Sequence, residues 1–181
     1  MSVYQIDTMH SSAEFSVKHM MISTVKGVFE DLQGRLDFDA ENPEDSKIVA
    51  SISTASVNTR VEDRDNHLRS ADFFDAENYP KMKFESTDIE VSGENTGKVT
   101  GDLTIRDTTK QVVFDVEYLG EMENSPFGDT RVGFVGSTTI DREDWNLTWN
   151  QALEAGGVLV SKEVKISIDV QAVKQEVGEK V

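Results

Sequence analysis

Apolar and polar residues alternate in one stretch of this chain after another, and that period of two limits its fold more than any other feature. In Phe15-Ser16-Val17-Lys18-His19 the odd positions are apolar or aromatic and the even ones polar. The habit recurs within 25–32, at Leu36/Phe38, Ile48/Ala50/Ile52/Thr54, Met82/Phe84, Val99/Leu103/Ile105, Val112/Phe114/Val116/Tyr118, Phe134/Thr138/Ile140 and Val164/Ile166/Ile168/Val170. Successive side chains of a strand point to opposite faces, so each stretch has one apolar and one wetted side. That is the signature of antiparallel sheet with a core on one face and water on the other. Turn-forming clusters separate the stretches: Glu41-Asn42-Pro43-Glu44-Asp45, Ser92-Gly93-Glu94-Asn95-Thr96-Gly97, Asn124-Ser125-Pro126-Phe127-Gly128-Asp129 and Ala155-Gly156-Gly157. About eight such strands, closed on themselves, make a barrel or a sandwich. No repeat or linker divides the chain, so residues 1–181 are expected to form a single all-β domain, with the polar 174–181 tail frayed.

One segment breaks the pattern. In Asp63 to Phe74, Leu68, Ala71 and Phe74 fall at helical spacing, which predicts a short helix. Tyr79-Pro80 then restarts extended structure. A weaker helical turn is predicted near 150–154, stopped by Gly156-Gly157.

Charge and composition exclude several partners. Thirty-four acidic residues stand against 18 basic ones, a formal net charge of −16. No Lys/Arg cluster is present to displace the counterions of DNA or RNA, and anionic lipid surfaces should repel the molecule as a whole. There is no cysteine, hence no disulfide, thiolate nucleophile or Cys-based zinc site, which fits a reducing compartment. Met1-Ser2-Val3-Tyr4-Gln5-Ile6-Asp7 lacks the basic and apolar regions of a signal peptide, and no apolar run is long enough to span a bilayer. A cytoplasmic location without stable membrane insertion is the expectation.

A series of short motifs runs the length of the chain. It opens with Ile6-Asp7-x-x-His10-Ser11-x-x-x-Phe15-x-Val17-x-His19, Gly27-Val28-Phe29 and Gly34. Ser56-x-x-Thr59, Arg64-Asp65-x-His67-Leu68, Asp72-Phe73-Phe74-Asp75, Tyr79-Pro80 and Phe84-x-Ser86 follow. Gly101-x-Leu103-Thr104-Ile105, Gly133-Phe134, Asp141-Arg142-x-Asp144 and Val164-x-Ile166 complete it. In this order, from about Tyr4 to Ala172, they resemble the YceI-like family of lipocalin-like polyisoprenoid-binding proteins. The resemblance implies an elongated antiparallel lipocalin-like β-barrel of about eight strands, with the short helix near 63–74 closing one end. It also implies a non-catalytic role, the carriage or storage of a polyisoprenoid or similar long-chain lipid inside the barrel, with no cofactor beyond such a lipid. Two positions depart from the family pattern. Asp107 follows Arg106 where glycine is usual, and Asp tolerates the positive φ of a turn. Trp145-Asn146 replaces Phe-Gly, and the Trp is expected to reshape one rim.

Phe15, Val17, Phe29, Phe84, Leu103, Phe114, Phe134 and Ile166 are the candidate lining, with His19 as a polar handle for a headgroup. Arg64, Asp65, His67, Phe73 and Phe74 are the candidate end-closing motif, in which a planar Arg fork would hold a carboxylate. The three histidines, His10, His19 and His67, are expected to be structural rather than metal ligands. Ser11 beside His10 is no catalytic pair, because strand neighbours face opposite ways. The acidic groups Asp141/Glu143/Asp144 and 41–45 lack calcium-loop spacing and read as solvated rim. Two other functions compete: an enzyme acting on an apolar chain through His67 or His19 with Asp65, and a stress-related partner module whose barrel is filled by its own side chains. A homodimer through strand edges or through Trp145 and Trp149 is a further expectation.

Overall fold

Each alternating stretch forms a strand in the computed structural model, which describes residues 1–153 and 157–176. The strands are β1 Ser2–Ile6, β2 Ser12–His19, β3 Ser23–Phe29, β4 Leu32–Phe38, β5 Lys47–Ser53, β6 Val57–Asn58, β7 Lys81–Val91, β8 Thr96–Ile105, β9 Thr108–Met122, β10 Arg131–Asp141 and β11 Glu163–Lys174; the one α-helix among the described residues, α1, is Glu62–Arg69. Strands β1-β4-β5-β7-β8-β9-β10-β11 follow one another around the sheet, and β11 returns to β1, a closed antiparallel ring of eight. The other three strands complete staves already counted. β11 pairs with β1 through Ala172–Lys174 and with β2 through Lys165–Asp169, so β1 and β2 are halves of one stave broken by a 3-10 turn at Thr8–His10. β3 and β4 share a second stave, and β5 and β6 a third. The connectivity is a simple up-and-down meander.

Two ends result. The helix end carries the β2–β3 hairpin tip, α1, the β8–β9 turn and the connection from β10 to β11. The opposite end carries the chain start and the turns around 39–46, 92–95 and 123–130. Each end has its own core. Ala13, Phe29, Val57, Met82, Ile105, Val112, Trp145 and Leu147 pack at the helix end, and Tyr4, Ile6, Leu32, Leu36, Val132 and Ala172 pack towards the other.

The helix is shorter than its spacing predicts. Both the N–H and the hydroxyl of Ser70 bond to the His67 carbonyl, closing the last turn, and Asp75 reverses the chain at φ 48°. Phe74 still reaches the interior because its N–H bonds to the Leu68 carbonyl. Acidic residues in the first turn and His67 and Arg69 in the last suit the helix dipole. In the β8–β9 turn Arg106, not Asp107, takes the positive φ (56°), while Asn146 does so (62°) after the turn at Arg142–Trp145. Lys174 still pairs with Tyr4, so fraying does not begin there; residues 177–181 lie outside the described residues, as does most of the Ala155-Gly156-Gly157 turn.

Trp145 does not reshape a rim, nor is it free to pair two copies. It is 2% exposed, and its indole N–H donates to the Leu103 carbonyl at 2.9 Å. It sits where the wall parts: β9 and β10 pair from Arg131↔Met122 to Ser137↔Asp115, and beyond that point they are no longer in register with each other.

Two aromatic rings lie flat across glycines on neighbouring strands. A Cβ on Gly27 would strike the Phe15 ring, and one on Gly101 would strike both the Phe84 ring and, at 2.6 Å, the Glu85 carbonyl. Gly101→Val is therefore expected to overpack the wall and cost about 1–3 kcal/mol, read as a fall of several degrees in Tm.

At the end away from the helix, Tyr4, Phe38, Tyr118 and Phe134 pack ring against ring at centroid separations of 5.1 to 6.2 Å. The Tyr4 hydroxyl donates to Glu121 Oε2 at 2.9 Å. Burial, then the hydrogen bond and charge of Glu121, push its pKa from 10.0 to about 12. The unfolded chain would lose this proton first. Stability present below pH 10 should thus fall as pH rises from 10.0 to about 12. Tyr118 is shifted upward by burial and Glu121 as well, so Tyr4→Phe should flatten this loss without abolishing it, measured as urea midpoints against pH.

Candidate functional site

The interior is hollow. Between the two cores lies a cavity of about 790 Å³, bordered along its length by residues of every stave. Phe15, Val17, His19, Phe29, Phe84, Leu103, Phe114, Phe134 and Ile166 all border it. The barrel is therefore not packed solid with its own side chains. Interior-facing positions come from alternate residues, so a single face of each stave supplies the wall. The lining also includes Leu36, Ile48, Ile52, Val99, Tyr118, Ile140 and Ile168, which share those alternating faces. Trp149, Leu159 and Val160 border the cavity too, but they come from a stretch with no strand period, so nothing in the sequence marks them.

Arg64, His67, Phe73 and Phe74 border the helix end of the cavity; Asp65 does not. The expected Arg fork on a carboxylate is absent among the described contacts. Thr59, 4% exposed, is the hub instead. Its N–H and hydroxyl both donate to Asp65 Oδ1, while Arg64 Nε donates to the Thr59 hydroxyl at 2.8 Å and Arg64 Nη2 to its carbonyl at 2.7 Å. Arg69 holds the carbonyls of Ala55 and Val57, both at 3.0 Å. Two arginines thus fasten α1 to β6 by gripping backbone oxygens. The reason is geometric: a helix laid beside a two-residue strand leaves carbonyls that must be satisfied.

His67 Nε2 lies 2.9 Å from Asp72 Oδ2, and its ring meets Phe73 at 5.1 Å and Trp149 at 4.6 Å, both edge to face. Phe74 packs against Phe29 at 5.4 Å. His19 sits in β2, facing inward with Phe15 and Val17, whereas His10 bonds Asp7 and stacks near Phe127 towards the other end. The three histidines do not converge, and among the described residues no group of three His, Asp or Glu is placed to hold a metal ion.

Arg142, which the sequence marks only as part of Asp141-Arg142-x-Asp144, is a main anchor of the helix end. It is 4% exposed, borders the cavity, and donates to the carbonyls of Ser161 (2.9 Å), Leu147 (2.5 Å), Trp149 (3.0 Å) and Val160 (3.3 Å). Burial lowers its pKa, and the charges of Glu143 and Asp141 work against that shift. The Asn150 amide bonds Val160 in both directions, so the connection between β10 and β11 is pinned across the helix end. The neighbouring acids do not form a cation loop. Asp141 accepts from the Glu143 N–H, and Glu143 pairs with Lys162 at 3.4 Å.

A closed up-and-down barrel around a long apolar cavity, with a short helix at one end, is a lipocalin-like β-barrel. The chain belongs to the YceI-like domain family, whose model matches residues 4–172. A UPF0312 protein of Staphylococcus epidermidis is 42% identical over 171 residues, covering 94% of this chain and 97% of that one. A UPF0312 protein of Staphylococcus aureus is 40% identical over the same shares. Among solved structures, the Campylobacter jejuni YCEI protein is 36% identical with a TM-score of 0.75, covering 88% of this chain and 90% of that chain. A polyisoprenoid binding domain from Saccharophagus degradans shares the fold at 15% identity, with a TM-score of 0.70 over 97% of this chain and 100% of its own.

Asp65→Ala leaves the buried Thr59 N–H and hydroxyl without their acceptor, at a cost of about 1–3 kcal/mol. Thermal unfolding is expected to show that loss clearly, while affinity for any chain held in the cavity changes less, since Asp65 does not border it. Equal melting temperatures for variant and parent would contradict the hub role of Thr59 and Asp65.

Proposed function

We propose that this protein binds a long apolar chain, a polyisoprenoid or a comparable lipid, inside the barrel, and carries or stores it without chemical change. The cavity of about 790 Å³ is the observation that supports this reading most directly. Family membership supports it, as does the fold shared with a domain described as polyisoprenoid-binding. The energetics are favourable. Each CH₂ removed from water contributes roughly 0.8 kcal/mol, so ten buried carbons supply about 8 kcal/mol gross. Association and ordering of the chain take back several kcal/mol. Micromolar affinity, about 8 kcal/mol net, is therefore reached with no charged contact once roughly fifteen or more carbons are buried.

The lining fits such a guest. Rings of Phe15, Phe29, Phe84, Phe114 and Phe134 offer flat, dispersion-rich walls, and His19, His67 and Arg64 place polar groups at the helix end for a headgroup. The enzyme alternative through His67 or His19 with Asp65 loses its carboxylate, since Asp65 accepts from Thr59 and His67 pairs with Asp72 instead. Catalysis through that pair would further need a nucleophile or an activated water at the other ring nitrogen. Among the described residues no hydroxyl is hydrogen-bonded there.

The test is mass spectrometry of an organic extract of protein purified without detergent from its own host. A stoichiometric prenyl or long acyl species is the expected result. An empty extract from a protein that also takes up no added prenyl alcohol would overturn the reading. Val17→Trp, which projects a large ring from β2 into the cavity, should exclude long chains while the fold survives, and unchanged chain-length selectivity in that variant would remove Val17 from the lining that matters.

A further inference from the structure

The β2–β3 hairpin tip is Met20-Met21-Ile22, and these three consecutive apolar residues are 44%, 62% and 83% exposed. Met20 and Met21 are the central residues of the tight turn, both at positive φ, 52° and 64°, where Asn or Gly would be less strained than methionine. The Met20 N–H bonds to the Leu159 carbonyl and His19 bridges Val160, so the tip is moored to the segment that crosses the helix end. Just inside it, Val25, Val61, Leu159 and Val160 border the cavity, and Val61 is itself 46% exposed. The apolar lining thus continues over the rim and onto the tip.

Charge sets this hairpin apart from the rest of the molecule. In a chain of net charge −16, residues 15–29 contain no Asp or Glu and include Lys18 and Lys26, both exposed. Acidic residues resume beside the hairpin, with Glu62 and Asp63 on α1, Asp107 in the β8–β9 turn and Glu143 and Asp144 where the chain leaves β10, so the hairpin is a local acid-free patch on this end. The other end also exposes apolar side chains, Leu119, Met122 and Phe127. There they are interleaved with Glu117, Glu121, Glu123 and Asp129, and although the cavity reaches the 93–97 turn at that end, Glu94 stands among its border residues.

We propose that the tip and its rim dock on a lipid bilayer, and that the chain passes between leaflet and cavity there. This inference rests on the carriage reading above. An anionic surface repels most faces of the protein, so approach is permitted only with the acid-free β2–β3 hairpin leading; its two lysines then meet headgroups, and the Met and Ile side chains enter the acyl boundary. The contact is transient, because three side chains are far too little for stable insertion. Methionine suits the role, since its flexible thioether adapts to a disordered partner.

The experiment compares two routes of loading with a fluorescent prenyl alcohol, delivered either from cyclodextrin or from vesicles of phosphatidylcholine and phosphatidylglycerol in equal parts. The variant Met21→Asn/Ile22→Asp changes two exposed positions, and Asn tolerates the positive φ at 21. Its loading from cyclodextrin should equal the parent's, and its loading rate from vesicles should fall by at least about tenfold. Met122→Asn, at the opposite end, should load from vesicles like the parent. If the parent fails to load from cyclodextrin, the carriage reading falls and the docking inference with it. If the parent loads from cyclodextrin but the tip variant matches it on vesicles, carriage stands and docking is overturned. A parent that loads from cyclodextrin but never from vesicles also overturns docking and points to a protein partner at this rim.

Discussion

Everything in this molecule depends on β11 meeting the first stave. Its N-terminal half pairs with β2 and its C-terminal half with β1, so one strand spans the break at Thr8–His10 and locks both halves in place. Closure removes the two free edges an open sheet would have and, outside the β9–β10 seam, satisfies backbone groups that would otherwise need water or another chain. A wall supported in this way by its own ladders can stand around unfilled space. That separates this barrel from a sandwich, whose faces must be packed together to exist at all. The cavity runs from the helix end to the turns at the other, and two buried clusters along the wall, which also border it, supply the close packing that offsets its cost.

The polar interactions that matter are short and backbone-directed. Arg64, Arg69 and Arg142 are bonded to main-chain carbonyls, with a threonine hydroxyl shared by Arg64 and an Asn66 side chain by Arg69. Each satisfies oxygens at a place where the strand ladder stops: beside β6, and along the irregular crossing from β10 to β11. Arg131 plays the ionic counterpart at the other end, bridging Asp7 and Asp129 while lying over the Phe127 ring. Guanidinium is suited to this work because its planar set of donors stays charged and is less strongly hydrated than an ammonium group.

Much of this was legible from alternation alone. Period two located every long strand and, with it, which face of each stave turns inward, so Phe15, Val17, Phe84, Leu103, Phe114 and Ile166 could be placed on the cavity wall from their spacing. What periodicity could not convey was the hollowness, since core packing and cavity lining use the same residues. The helix ran shorter than its spacing because Ser70 bonds back to His67, a local competition that a count of apolar positions does not register. Arg64 and Asp65 meet at Thr59 rather than each other, a meeting that depends on a fold-back of the chain and that no local motif announces. Trp145, expected at a rim because Trp145-Asn146 replaces Phe-Gly, is buried where β9 and β10 diverge.

That divergence gives the wall an uneven resistance to opening. A ring paired alike at every position would expose its amides to solvent mainly through global unfolding. Here the early part of β9 and the late part of β10 lack each other's ladder, and a single indole, bonded across to Leu103, stands in for several backbone pairs. In the language of hydrogen exchange, this seam defines a local opening whose free energy is set by the packing of one side chain. The rest of the barrel answers to the whole fold.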